Sequence, residues 1–197
     1  MTLNRKERER IEKIGTPYIV AAMVTDWEAE IDNIEMVTDR FRQYKGEDFV
    51  ISDSEHRTVV DSKYHRGVAY QQELTDTGVD IISIEITKKN GRAGWGIDTT
   101  LNTDYIIDMI HGVGYYMIDS KRLKEYMADA YEHYPVMYAA EGEEDYRAVS
   151  VADLMEYEVI LYFKEFSEIE NKAWAYIRGY DSKYNEKIQP SIDKLLT

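Results

Sequence analysis

Cysteine is absent from the chain. That excludes disulfide staples, thiolate metal sites and a cysteine nucleophile. Histidine is scarce, and the four present, His56, His65, His111 and His133, show no spacing that suits a zinc site. No apolar run comes near the roughly 18 residues that a membrane-spanning helix needs. The opening stretch MTLNRKERERIEKIG is charged and lacks the apolar segment of a secretory leader. The expectation is a cytoplasmic protein with no membrane association. There is no phosphate-binding loop of the Walker type and no serine at a nucleophile elbow. Gly91–Gly96 (GRAGWG) is glycine-rich, but no clear strand-to-helix context surrounds it.

Positive charge is also in short supply. Acids outnumber bases 38 to 24, for a formal net charge of −14. Proteins that grip DNA usually present clustered Lys and Arg, so this balance argues against an extended nucleic-acid surface. Acidity serves solubility in many proteins. Seventeen tyrosines accompany it, and tyrosine is enriched in the cores of protein interfaces. A length of 197 residues suits one domain with an ample core.

The pattern along the chain predicts a mixed α/β (α+β) fold. Residues 3–14 read as a short charged helix that ends near Gly15 and Pro17. Thr25-Asp26-Trp27-Glu28 forms a capping box for a second helix reaching Gln43, with the stripe Trp27, Ile31, Ile34, Val37 and Phe41. Asp48–Ser52 and Thr58–His65 read as a hairpin around the polar turn Asp53–Arg57. Residues 66–79 are polar and loop-like. Val79–Thr87 (VDIISIEIT) is a strong buried strand, and Asp104–Ile110 and Val113–Ile118 are two more, the first compatible with a helix as well. A helix over Ser120–Tyr134 is followed by short strands at Val136–Ala139 and Tyr146–Val151, with an acidic turn, Glu141–Asp145, between them. Residues 152–163 fit either state. Two further helices, Ser167–Arg178 and Asp181–Leu196, complete the reading. The expected organisation is a core over 1–155, a mixed sheet flanked by helices, with 156–197 as a helical extension packed on the same domain.

The chemistry-bearing residues gather around the hairpin. Asp61 and Lys63 stand two apart in the β-branched, alternating run TVVDSKYH. On a strand they project from one face, while Thr58, Val60, Ser62 and Tyr64 face the other. Asp48 opens the first hairpin strand. Cross-strand neighbours lie roughly 5 Å apart, so it falls close to Asp61 and Lys63. Paired carboxylates hold a hard cation such as Mg²⁺ or Mn²⁺ through oxygen, and an adjacent lysine can hold the attacking water or stabilise charge at phosphorus. A structural ion pair on an exposed strand face is the competing account of Asp61 and Lys63. On the hydrolytic reading Lys63→Ala abolishes cleavage and, as the loss of one exposed charge, changes stability by under about 0.5 kcal/mol. Glu30 lies three residues after Trp27 and four before Ile34, on the helical stripe, where it either joins a site or reaches solvent from the edge. Glu85 interrupts a buried strand, which is uncommon for a glutamate. His65 continues the face of Asp61 and Lys63 and can contact phosphate.

This set resembles the PD-(D/E)XK nuclease superfamily, whose pattern is a Glu on a first helix, an Asp opening one hairpin strand and (D/E)-x-K at the end of the next. The matching positions are Glu30, Asp48 and Asp61-Ser62-Lys63. The chain is also similar to a set of phage and prophage proteins through Val60–Lys63, Ile81–Ile86, Gly94–Ile107 and Ala148–Val151. The resemblance covers roughly residues 20–155. It implies a restriction-endonuclease-like α/β core, Mg²⁺ dependence and a nucleic-acid substrate; on the nuclease reading Glu30, Asp48 and Asp61 hold Mg²⁺ (or Mn²⁺), Lys63 manages the water, and Glu85 and His65 assist. No proline precedes Asp48, and Asp61 replaces the commoner Glu. The charge keeps a different class open: a non-enzymatic, phage-encoded acidic inhibitor, anti-CRISPR or otherwise anti-defence. Such a protein would act in the host cytoplasm by presenting carboxylates to a basic nucleic-acid-binding protein such as a CRISPR effector.

Overall fold

The computed structural model describes residues 5–65, 81–88, 90–110, 113–138, 145–169 and 171. Its first element, α1 (Arg5–Asp26), is a single helix that passes through Pro17. The proline removes one backbone donor, at a cost of about 3 kcal/mol. Burial of Ile19, Val20 and Met23, at about 1.5–3 kcal/mol each, outweighs that cost. The helix stop expected at Gly15 and Pro17 is thereby corrected. So is the helix expected from Thr25 to Gln43. Glu28 adopts a left-handed φ of 52°, which ends the helical path, and the segment instead forms a 3₁₀ turn (Ile31–Asn33), strand β1 (Ile34–Met36) and the single turn α2 (Arg40–Gln43).

The hairpin follows as β2 (Phe49–Ser52) and β3 (Arg57–His65), paired antiparallel with Phe49 opposite Val60. After β4 (Ile81–Thr87), strands β5 (Tyr105–Ile110) and β6 (Gly114–Asp119) form a second antiparallel pair. β5 lies parallel to β3, so Lys63 is level with Asp108. Helix α3 (Ser120–Ala130) starts where Asp119 accepts a hydrogen bond from the Arg122 N–H, a side-chain cap of ordinary kind. Then come β7 (Val136–Tyr138), β8 (Asp145–Ser150), α4 (Val151–Glu156) and β9 (Ile160–Glu165). The larger sheet has the order β1-β2-β3-β5-β6-β9, and the smaller one β4-β8-β7. β9 pairs with β6, so the core sheet takes its last strand from residues expected to belong to a helical extension. Residues 66–80, 139–144 and 172–197, which hold an expected loop, most of the acidic turn and most of the two C-terminal helices, lie outside the described residues, while 166–169, at the start of the first of these helices, are helical.

The alternation in each strand sorts side chains onto two cores. One face of the larger sheet, with Phe49, Val60, Ile107, Met109, Tyr115 and Met117, packs against α1. The other face, with Ile106, Ile110, Tyr116 and Ile118, packs against Ile82, Ile84 and Ile86 of β4, Leu123 and Met127 of α3, and Leu154 of α4. The result is three layers: helix, mixed sheet, then the smaller sheet with its helices. Asp61 and Lys63 project into the space between the second and third layers.

Candidate functional site

Pairing in the hairpin puts Asp48 beside the middle of β3. Its backbone N–H donates to the Val60 carbonyl at 3.1 Å, and its carboxylate accepts from the Ser62 N–H at 3.0 Å and the Ser62 hydroxyl at 2.7 Å. Asp61 is only 4% exposed, and the Asp48 carboxylate is among the groups that act on its carboxyl. Lys63 Nζ stands 2.5 Å from Asp61 Oδ2, and its side chain keeps 26% of its surface open. The structure therefore gathers Asp48, Asp61 and Lys63 at one place.

Burial is the main force on Asp61. It pushes the carboxyl up to about 6, opposed by the Lys63 ammonium and reinforced by the neighbouring Asp48 carboxylate. For Lys63 burial favours the neutral amine, but Asp61, Asp48 and Glu85 together outweigh it and hold the ammonium above its ordinary range. Lysine is thus a charged group here and not a proton acceptor.

Trp95 roofs the cluster, its ring centroid 5.8 Å from Lys63 Nζ. The glycines of GRAGWG make this approach available. A Cβ at Gly94 would fall 2.3 Å from the Glu85 carbonyl oxygen, and one at Gly96 would fall 2.2 Å from Ile84 Cγ2. The loop lies flat on β4, with the Gly94 N–H donating to Ile86 O at 2.7 Å and the Gly96 N–H to Glu85 O at 3.0 Å. These glycines serve close backbone contact.

The remaining expected site residues fare differently. Glu85 accepts from the Tyr146 hydroxyl at 3.0 Å and adds its charge to the field at Lys63. His65 ends β3, and its side chain lies outside the described residues. Glu30 sits exposed in the loop between α1 and β1, not on a helix stripe. Its expected place on a packed helix is thereby corrected. Among the described residues no group of three or more His, Asp or Glu side chains is placed to hold a metal ion.

Two residues that the sequence reading passed over join the neighbourhood. Asp108, fully buried, is the strand neighbour of Lys63. An acid inside the run YIIDMI was the signal, the same kind that marked Glu85. Lys124, 8% exposed on α3, lies within the field of Asp98, Asp61 and Asp104. Burial lowers its pKa against the pull of those carboxylates. Its signal was weaker, a lysine placed one residue after Leu123 and three before Met127 on the buried stripe.

The chain matches no family model, no curated protein and no solved structure. Among the described residues no helix is long and apolar enough to cross a membrane.

Proposed function

We propose that the chain is a nuclease-like hydrolase of nucleic-acid phosphodiester bonds, working through Asp48, Asp61 and Lys63 on a restriction-endonuclease-like sheet. What carries the reading is one observation: Lys63 lies 2.5 Å from the Asp61 carboxylate, and the Asp48 carboxylate is held by Ser62, the residue between them. That is the chemistry implied by the Asp and Asp-x-Lys positions of the hairpin. The donor set is all carboxylate oxygen, which suits a hard cation. Mg²⁺ is commonly held by only one or two protein carboxylates, with water and phosphate completing its shell. Two adjoining carboxylates repel unless a proton or a cation lies with them, so Asp48 and Asp61 fit Mg²⁺ or Mn²⁺. When bound, the ion would supply Lewis-acid stabilisation of charge on the phosphoryl group.

The protein's own groups then have separable tasks. Asp48, fixed by two hydrogen bonds from Ser62, sets the position of the carboxylate pair. Lys63 donates a hydrogen bond to a phosphoryl oxygen as the water oxygen bonds to phosphorus and gives up a proton to solvent, while the bond to the sugar oxygen breaks and that oxygen takes a proton from solvent. Trp95 limits bulk water around the ammonium. The test is cleavage of single- and double-stranded DNA and RNA with Mg²⁺ or Mn²⁺. Lys63→Met is expected to lose activity by at least about a hundredfold. Absence of cleavage of all four substrates, or an unimpaired variant, overturns the proposal.

A second reading draws on the fate of positive charge. Arg42 binds Glu35 and Glu47, Arg57 binds Glu47, Arg122 binds Glu158, Arg147 binds Asp145 and Lys164 binds Asp26. With so many cations spent on internal pairs, the acidic excess is left to the surface, as an inhibitor of a basic nucleic-acid-handling protein would need. Metal-dependent cleavage that requires Lys63, with no binding to such a protein, excludes it.

A further inference from the structure

One surface departs from the acidic average of the chain. Arg40-Phe41-Arg42-Gln43-Tyr44-Lys45 places three cations and two aromatics in six consecutive residues. Phe41 is 84% exposed and Tyr44 77%, the two most exposed large apolar side chains among the described residues. The segment has two sides. Inward, Arg42 forks onto Glu35 at 2.5 and 3.1 Å and reaches Glu47 at 2.9 Å, while Gln43 donates to the Val37 carbonyl at 2.9 Å. Those bonds, with the Asp39 cap on the Arg42 N–H, fix the turn without help from the aromatics. Outward are Arg40, Phe41, Tyr44 and Lys45, all exposed. Helical geometry persists through Tyr44, so spacings of three and four residues set these four side by side. Among the described residues no carboxylate lies within ion-pair distance of Arg40 or Lys45, in contrast to Arg42.

Exposed rings beside unspent cations suit one ligand chemistry above others. Bases stack on aromatic rings whatever their identity, while Lys and Arg track the phosphates. Bases inside a duplex hide their faces, and two cations neutralise too little of a duplex's charge to hold it against a net −14. The position fits as well. Asp48 follows Lys45 by three residues, and the Val37 N–H donates to the Asp48 carbonyl at 2.9 Å, which ties the turn to the carboxylate cluster.

We propose that Arg40, Phe41, Tyr44 and Lys45 form a stacking platform for single-stranded nucleic acid. Phe41 and Tyr44 take unpaired bases, and Arg40 and Lys45 take the flanking phosphates. The inference rests on the nucleic-acid reading of the Asp48–Asp61–Lys63 cluster and names its substrate class as single-stranded.

The experiment is fluorescence anisotropy of a labelled oligothymidylate of about 16 nucleotides, within the range one binding module covers. It uses the full chain at low salt with EDTA present, and a duplex of equal length as comparison. The single strand is expected to bind and the duplex to bind at least about tenfold more weakly. Phe41→Ala and Tyr44→Ala should each weaken binding about tenfold, and Phe41→Trp should retain it. Arg40→Gln with Lys45→Gln should make the slope of log affinity against log salt shallower by about 1.4, at about 0.7 per phosphate. Equal or tighter duplex binding, no binding, or alanine variants that bind like the wild type each overturn the platform. Capture of a protein partner through these side chains in place of an oligonucleotide overturns it too. A separate cleavage assay with Mg²⁺ keeps the two proposals distinct. Binding without cleavage sinks the hydrolase alone. Lys63-dependent cleavage that ignores Phe41 and Tyr44 sinks the platform alone.

Discussion

Asp61 is the residue on which the site turns, and its burial has a consequence for stability. Its ordinary value of 3.8 rises to about 6 in the folded state. A carboxyl raised on folding binds its proton more tightly in the native protein, so protonation favours the fold at low pH. That contribution is complete below about pH 4 and is lost as pH rises through about 6, and its full size is on the order of 3 kcal/mol. Glu35, Glu47, Asp53 and Asp98 shift the other way, each held below its ordinary value by hydrogen bonds or nearby cations, so the whole-protein curve mixes both signs. The stability difference between wild type and Asp61→Asn isolates the one group. Urea titrations between pH 4 and 6.5 should show that difference changing by about 2 kcal/mol, and a difference that stays flat removes the buried-carboxyl account. Lys63 brings a correction. From sequence it was an exposed charge whose removal costs under about 0.5 kcal/mol. In the fold it is mostly covered and offsets a nearly buried acid. Lys63→Met should therefore cost about 2 kcal/mol at pH 7.5 and less at pH 5, where Asp61 can take up a proton instead. An equal cost at both pH values would show that the pair is not coupled.

At the scale of elements, α1 is pinned by its last residue. Asp26 accepts from the Tyr115 hydroxyl at 2.5 Å and the Tyr162 hydroxyl at 2.7 Å, and pairs with the Lys164 ammonium. Burial and these bonds keep both phenols protonated well beyond their ordinary range. Asp26→Ala leaves two buried hydroxyls and an ammonium without their acceptor, at a cost of about 3 kcal/mol. Chemical denaturation should show it, and a loss below about 0.5 kcal/mol would mean that α1 is held by its apolar face alone. None of this latch was legible in the sequence, because its members come from α1, β6 and β9 and meet only through the order of the sheet. The hairpin was legible. Alternation in β3, the polar turn and the short distance between the two strands all act locally, and they fixed the neighbourhood of Asp48, Asp61 and Lys63. β4 was legible for the same reason, through Ile82, Ile84 and Ile86. The stretch from Gly15 to Gln43 was not. Breakers and a capping box are local signals, and burial of Ile19–Met23 against the sheet overrode them. The stripe imagined through Phe41 fails for a matching reason: the ring points to solvent.

The whole molecule carries its charge as a field, and the two functional readings differ in the sign of that field's effect on association. At a net −14, an approaching oligonucleotide meets long-range repulsion before it reaches the local cations of Arg40 and Lys45. Salt shortens the reach of that repulsion, to about 10 Å at 0.1 M. The association rate for single-stranded oligonucleotide should therefore rise as salt goes from about 10 to 100 mM, while dissociation also quickens because the phosphate contacts weaken. A basic protein partner feels attraction over the same distances. Its association is fastest at low salt and falls steeply as salt is added. Stopped-flow measurement of association at the two salt concentrations separates the cases without any assumption about catalysis. A rate that climbs with salt for the oligonucleotide supports a nucleic-acid substrate reached through a small local platform. An oligonucleotide rate that falls with salt, as for a protein with an extended basic surface, contradicts it. Slow, salt-insensitive encounter with the oligonucleotide, beside fast and salt-suppressed encounter with a basic nucleic-acid-binding protein, would assign the acidic surface to that partner and return Asp61 and Lys63 to the role of a buried ion pair.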